Sequence, residues 1–271
     1  MDIGYALVIE LLALGVVTGF LAGLLGVGGG MMLVPFLTLI LSNRGVEPGL
    51  SVKMAIATAM ATIFFTSLSS VRAHHQRGAV RWELVRGIAP GIVSGSLLAS
   101  AGVFALLKGQ GLALLFAAFS IFSAVQMLRD SKPKPSRAMP GAGGLFAAGG
   151  VIGFLSGLLG AGGAFISVPF MVWCNVTLRE AVGTSAALGF PIALASTLGY
   201  VIAGWHLAPA LPGAHGYIYL PALLIVAAAS VTLAPWGARV AHGMDVSRLK
   251  GVFALLLCSL AGYMLYKSAS G

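Results

Sequence analysis

The sequence predicts an all-α polytopic membrane protein made of two inverted structural repeats, each a glycine-broken helical hairpin followed by three transmembrane helices. Three observations carry that prediction: scarce and clustered charge, an internal repeat, and an uneven division of Lys and Arg between the connecting loops. Of 271 residues, 58% are hydrophobic and 8% charged, against roughly 25% charged in ordinary soluble domains. Residues 11–43, 54–71, 88–107, 109–128, 138–178, 181–238 and 251–266 contain no Lys, Arg, Asp or Glu. A span of the bilayer core takes about 20 apolar residues, so several of these windows are long enough. Strand alternation is absent, which argues against a barrel.

The first element covers residues 3–41. Residues 3–26 could span, but GVGGG at 26–30 interrupts the run. The chain resumes as a short apolar stretch, residues 31–41, worth about 15 Å of helix. The windows 54–71, 88–107 and 109–128 complete the first half. RDSKPKPSRAMP follows, charged and proline-rich as a connecting loop should be. The first repeat is therefore placed at 1–129, a cytoplasmic linker at 130–141 and the second repeat at 142–271. The second half opens with GFLSGLLGAGGAFISVPF at 153–170, matching GFLAGLLGVGGGMMLVPF at 19–36. Residues 18–36 and 152–170 share 12 of 19 positions, Pro35 pairing with Pro169. KMAIATAM at 53–60 then resembles REAVGTSA at 179–186, which pairs Thr58 with Thr184.

Repeats of this size mark transporters whose halves are parallel or inverted. Charge distinguishes the two. If each broken segment enters and returns as a hairpin, 12 Lys and Arg face the cytoplasm and 4 face away; if it crosses once, the division is 9 to 7. The positive-inside rule selects the hairpin, and with it the inversion. The same rule accounts for the formal charge of +9. No basic stripe suits a nucleic acid. The N-terminal MDIGYALVIE has no Lys or Arg, which disfavours a cleaved signal peptide.

A glycine break at membrane depth is tolerated where the freed backbone is buried or lines a cavity. The first amides of each resumed helix lack helical partners and carry partial positive charge. Gly28, Gly29, Gly30, Gly162 and Gly163 are accordingly predicted to cradle a small anion near the midplane. Thr58, Thr184 and Ser185 are placed one turn inside the following segment, where they could donate to anion oxygens or to a carbonyl one turn back. Pro35, Pro169 and Pro191 are hinge or kink positions, Pro191 in mid-segment. Gly15, Gly19 and Gly23, with Gly153 and Gly157, are spaced by four and read as helix-packing residues. Glu10 reads as interfacial more readily than functional, and His74 and His75 as loop residues. Cys174 and Cys258 have no metal-like spacing. No catalytic constellation, nucleotide motif, cofactor or metal site is evident, so no enzyme is predicted.

GLLGVGGGMMLVPFL and GLLGAGGAFISVPFM, with GTSAALGFPIA and LPGAHGYIYLPALL, resemble the paired motifs of the sulfite exporter TauE/SafE family. The resemblance covers essentially the whole chain. It implies an integral protein of the bacterial inner membrane that moves sulfite, a sulfonate or another small organic anion, commonly outward. Ala164 stands where the first copy has Gly30, a departure from equal copies. Together these readings point to a secondary transporter working by alternating access, with a proton as the coupling ion. An anion channel is the alternative, an integral-membrane enzyme a weaker one. An oligomer is compatible with the sequence.

Overall fold

Long runs without charge leave the backbone one way to satisfy its own amides, the helix. The structure, a computed structural model, describes residues 4–25, 29–128, 137–240 and 246–270. In chain order the helices are α1 (Tyr5–Leu25), α2 (Gly30–Asn43), α3 (Pro48–His75), α4 (Trp82–Leu97), α5 (Phe104–Leu106) and α6 (Gly109–Leu128). They continue with α7 (Ala142–Leu159), α8 (Ala164–Trp173), α9 (Leu178–Gly204), α10 (Leu220–Val240) and α11 (Val246–Ser270). A π-helical turn, Leu98–Val103, joins α4 to α5 in one continuous span. A small antiparallel hairpin, β1 (Ala214–His215) and β2 (Ile218–Tyr219), precedes α10. Among the described residues, seven helices are long and apolar enough to cross a membrane. The protein is thus all-helical and polytopic, apart from that four-residue hairpin.

Local chemistry sets the helix ends. After α2, Gly45 at φ 83° lets the Gly45 and Val46 amides turn back to the Ser42 and Leu41 carbonyls. After α8, Asn175 takes the same left-handed conformation at φ 64°, and Asn175 and Val176 bond to Val172 and Met171. Asn is the side chain that best tolerates this region after glycine. Thr177 then opens α9 with a capping box to Glu180.

Glycine decides how the spans pair. Gly15 lies against Val226 and Ala229, Gly19 against Ser230, and Gly237 against Phe20, so α1 and α10 run side by side in the same direction. Gly91 meets Phe146, Gly95 meets Gly150 and Gly153 meets Ile92, which packs α4 on α7, again parallel. Small residues allow this close approach, and no larger side chain fits there. The two most enclosed spans, α3 and α9, run antiparallel: Gly183 touches Ala79, Gly189 touches Ser67, and the Phe64 and Phe190 rings are 5.2 Å apart. The α6 and α11 helices are antiparallel too, Ser268 Oγ donating to the Gln110 carbonyl at 3.1 Å.

Candidate functional site

The two glycine breaks have matching geometry. Gly29 caps α2 at φ 67° and Gly163 caps α8 at φ 75°, a left-handed conformation that favours glycine. Gly29 lies against Thr18 and Ala22, and Gly163 against Ile152 and Ser156, residues 11 and 7 positions back in both cases. At each break the chain therefore turns back along the helix it has just left. The first intrahelical bonds are Met32 and Leu33 to the Gly29 carbonyl, and Ile166 and Ser167 to the Gly163 carbonyl. The amides ahead of them, on Gly30, Met31, Ala164 and Phe165, point out of the helix ends. Gly28 lies outside the described residues.

The breaks also meet one another. Gly30 packs on Gly160 and Ala161 of the second half and on Ile63 of α3. This contact explains the unequal copies: a side chain at position 30 would run into backbone, whereas position 164 accepts a methyl. A cavity of about 20 Å³ adjoins the meeting point, room for about one water. Gly162 and Ser185 line it together with Thr66, Ser67, Ser70 and Gly189. Ser185 Oγ lies 2.7 Å from Ser167 Oγ, in the first turn of α8, and both are buried.

The two threonines do something other than expected. They lie deeper than one turn into their helices, Thr58 ten residues past the start of α3 and Thr184 six past the start of α9. Each accepts a backbone N–H from the other half of the chain, rather than serving a carbonyl one turn back or facing the cavity. The Tyr219 amide donates to Thr58 Oγ1 and the Arg81 amide to Thr184 Oγ1, both at 3.0 Å. Tyr219 and Arg81 are the residues immediately before α10 and α4, where an amide has no helical acceptor. Pro35 and Pro169 are each the sixth residue of their short helix, and Pro191 sits inside α9, removing the donor that the Ala187 carbonyl would otherwise receive.

The remaining polar groups divide between those expected from sequence and those not singled out there. His74 and His75 are not loop residues: they end α3, His74 buried and His75 Nδ1 accepting from Trp82 Nε1 at 3.2 Å. Ser120, Ser156 and Ser196 are buried hydroxyls with no hydrogen-bond partner among the described residues. Ser185, Gly189, Ile192, Ser196 and Tyr200 recur at helical spacing on α9, and that periodicity was the available signal. Glu10 is exposed, Cys174 is buried and Cys258 exposed. Among the described residues no three His, Cys, Asp or Glu side chains gather as metal ligands would.

Basic residues gather at both ends of the molecule. At one end Arg179 Nη2 donates to the Arg77 carbonyl at 2.8 Å, beside Arg81. Arg137 covers the Trp173 ring at 4.6 Å, and the Asn175 side-chain amide donates to its carbonyl. At the other end Lys53 Nζ donates to the Ala105 carbonyl at 3.1 Å and lies 5.7 Å from the centres of the Phe104 and Tyr217 rings. Burial there raises the Tyr219 phenol above its ordinary range, with Arg44 opposing the shift.

Comparison with known proteins follows the same direction as this geometry. The sequence model of the family described as sulfite exporter TauE/SafE matches residues 11–264. A protein of Haemophilus influenzae named probable membrane transporter protein is 32% identical over 266 residues, 97% of this chain and 100% of that protein. A probable membrane transporter protein of Methanocaldococcus jannaschii is 26% identical over 267 residues, covering 94% of this chain and 92% of its own. One from Bacillus subtilis is 29% identical over 232 residues, 75% and 83% of the two chains. No solved structure matches.

Proposed function

The chain belongs to the TauE/SafE sulfite exporter family, and from that premise we propose that it is a secondary transporter for a small anion, held between two glycine breaks and released by alternating access. The observation that carries the reading is the meeting of the two breaks. It sets the start of α2 against the loop that leads into α8, whose first turn carries Ser167 of the Ser167–Ser185 hydroxyl pair. Converging N–H and O–H donors at the ends of short helices suit an anion. Gly29, Gly30, Gly162 and Gly163, with Gly28 as the sequence expects, would present their backbone amides to the anion once the packing between the breaks loosens. Ser185 faces the cavity. Thr58 and Thr184 serve the scaffold by holding the helix starts of the opposite half.

Inverted repeats over 1–129 and 142–271 explain the packing pattern. A two-fold exchange of halves turns the α1–α10 pair into the α7–α4 pair, and the Thr58–Tyr219 bond into the Thr184–Arg81 bond. It maps α3 on α9 and α6 on α11, and both of those pairs are antiparallel, which favours an axis in the membrane plane. Arg77, Arg81, Arg137 and Arg179 then share the cytoplasmic face, with the linker at 130–141, while Arg44 and Lys53 share the opposite one. The glycine-locked α1–α10 and α4–α7 pairs move as units against α3 and α9. A central cavity of only about 20 Å³ supports a transporter over an open channel. The membrane is the bacterial inner membrane, the substrate sulfite, a sulfonate or a related organic anion moving outward, and a proton the coupling ion.

The test is thermal stabilisation of the purified protein by sulfite, thiosulfate, sulfonates and carboxylates, followed by counterflow in proteoliposomes with the anion that stabilises. Replacing both Ser167 and Ser185 by Ala should weaken that anion's half-saturation about tenfold or more, two hydrogen bonds to a charged group being lost. The site is wrong if no anion stabilises the protein and Gly163→Leu leaves transport intact.

A further inference from the structure

A polar seam leaves the central site toward the face that carries Lys53. Ile192 and Ser156 both lie on Gly163, and Ser196 Oγ comes within 3.4 Å of where a β-carbon on Gly157 would stand. One turn further along α9, the Tyr200 hydroxyl donates to the Gly157 carbonyl of α7. Tyr200 is the largest fully buried side chain among the described residues, and its ring lies tilted against Phe104 with centres 4.6 Å apart. Phe104 meets Tyr217 edge-on and lies under the Lys53 ammonium. The series runs without interruption from the glycine break to a cation at the membrane face.

Two features of this seam are costly for a merely structural contact. The Ser156 and Ser196 hydroxyls are at most 1% exposed and have no partner among the described residues. The space beside Ser156, Ala161 and Gly163 is too small for a water. Buried hydroxyls are normally satisfied, and these would be if water entered. The second feature is the π-helical turn Leu98–Val103, which lies along the same seam. Ala99 packs on Gly157, Ser100 on Gly199, and the turn ends at Phe104. Such turns concentrate at functional sites because one residue can be taken up or released. That shift would swing Phe104 by about 100°, one residue's rotation in an α-helix. The corresponding span of the other half, α10, is α-helical throughout.

We propose that the seam between α7, α9 and the π-helical turn is the substrate's route from the central site to the Lys53 face, and that Tyr200 is its gate. In this structure the gate is shut: the phenol is latched to Gly157 and Phe104 stands behind it. Conversion of the π turn to α-helix withdraws Phe104, frees the ring and lets water and the anion reach Ser196 and Ser156. The Lys53 charge draws the anion to that mouth. The proposal rests on the transporter reading, and its test needs no knowledge of the substrate.

The protein, with Cys174→Ala and Cys258→Ser, is reconstituted in phospholipid vesicles and exposed to a membrane-impermeant anionic methanethiosulfonate. Ser196→Cys should react slowly beside Tyr200 and about tenfold faster beside Tyr200→Phe, one buried hydrogen bond being lost. Thr197→Cys, one residue away in the apolar groove on another face of α9, should react equally in both. If Tyr200→Phe does not fold, as judged by gel filtration, Phe104→Leu must give the same acceleration. Equal rates at Ser196→Cys with and without the gate change overturn the proposal, as does a parallel rise at Thr197→Cys. Failure of anion transport while the labelling pattern holds counts against the anion reading, not the gate.

Discussion

Replacing Gly30 by Ala inserts one methyl group where the two halves touch. A β-carbon at that position would overlap the Gly160 carbonyl oxygen, stand 2.8 Å from Ile63 Cδ1 and come within 3.3 Å of the Ala161 Cα. The isoleucine can rotate away, but the carbonyl and the Cα belong to the second break and can yield only if that loop moves. Overpacking against a fixed neighbour costs about 1–3 kcal/mol, while Ala in place of Gly in a helix returns roughly 0.5–1 kcal/mol. The net expectation is a loss centred on about 1 kcal/mol and at most about 2.5 kcal/mol. The reciprocal change, Ala164→Gly, removes a buried methyl worth about 0.8 kcal/mol and loses the roughly 0.5–1 kcal/mol by which Ala exceeds Gly in a helix, but no backbone contact. Thermal unfolding in detergent should therefore rank wild type above both variants. Transport by Gly30→Ala should fall further than its stability alone would explain, because the displaced loop carries the site. A Gly30→Ala protein as stable and active as wild type would refute the contact between the breaks.

Further outcomes can be checked independently. Thr58→Val leaves the buried Tyr219 amide without its acceptor and should destabilise by about 1–3 kcal/mol, Thr184→Val by less because the Arg81 amide is half-buried, with Thr→Ser restoring most of either loss. Cysteines introduced at the exposed positions Gln76 and Ala210 should label from opposite faces of the membrane; labelling from one face would sink the inverted arrangement. Gly95→Leu places a branched side chain against the Gly150 backbone and should cost 3 kcal/mol or more, seen as loss of folded protein on gel filtration. Arg137→Ala removes a cation from the Trp173 ring and should lower stability by only about 0.5–1 kcal/mol, with transport unchanged.

Membrane class and helical content were legible because a bilayer imposes them residue by residue: charge is costly everywhere along a span. The packing glycines were legible for a related reason. Close approach on one helix face needs small residues four apart, and Gly15, Gly19, Gly153 and Gly157 show that spacing. The roles of Thr58 and Thr184 were not, since an acceptor's donor lies 161 or 103 residues away and leaves no local pattern. The same holds for Ser156 and Ser196, which in sequence are ordinary small residues in apolar helices. His74 was misplaced because its neighbours Arg72 and Arg77 suggested a loop, whereas α3 runs on to His75. The π turn in LASAGV carries no proline or charge to announce it; its residues pack on partners far along the chain, Ala99 on Gly157 and Ser100 on Gly199.

The pairing of α1 with α10 has a consequence for how the chain is made. The α1 helix leaves the ribosome well before α10, whose groove receives its glycine face about 200 residues later, a separation that slows folding and prolongs exposure. Until then Gly15 and Gly19 face lipid or a temporary neighbour. The α4 helix waits less, because α7 follows soon after the linker. Assembly should therefore pair α4 with α7 before α1 docks on α10. A nascent chain stopped before α10 would hold an open flank, the kind of surface a membrane chaperone protects.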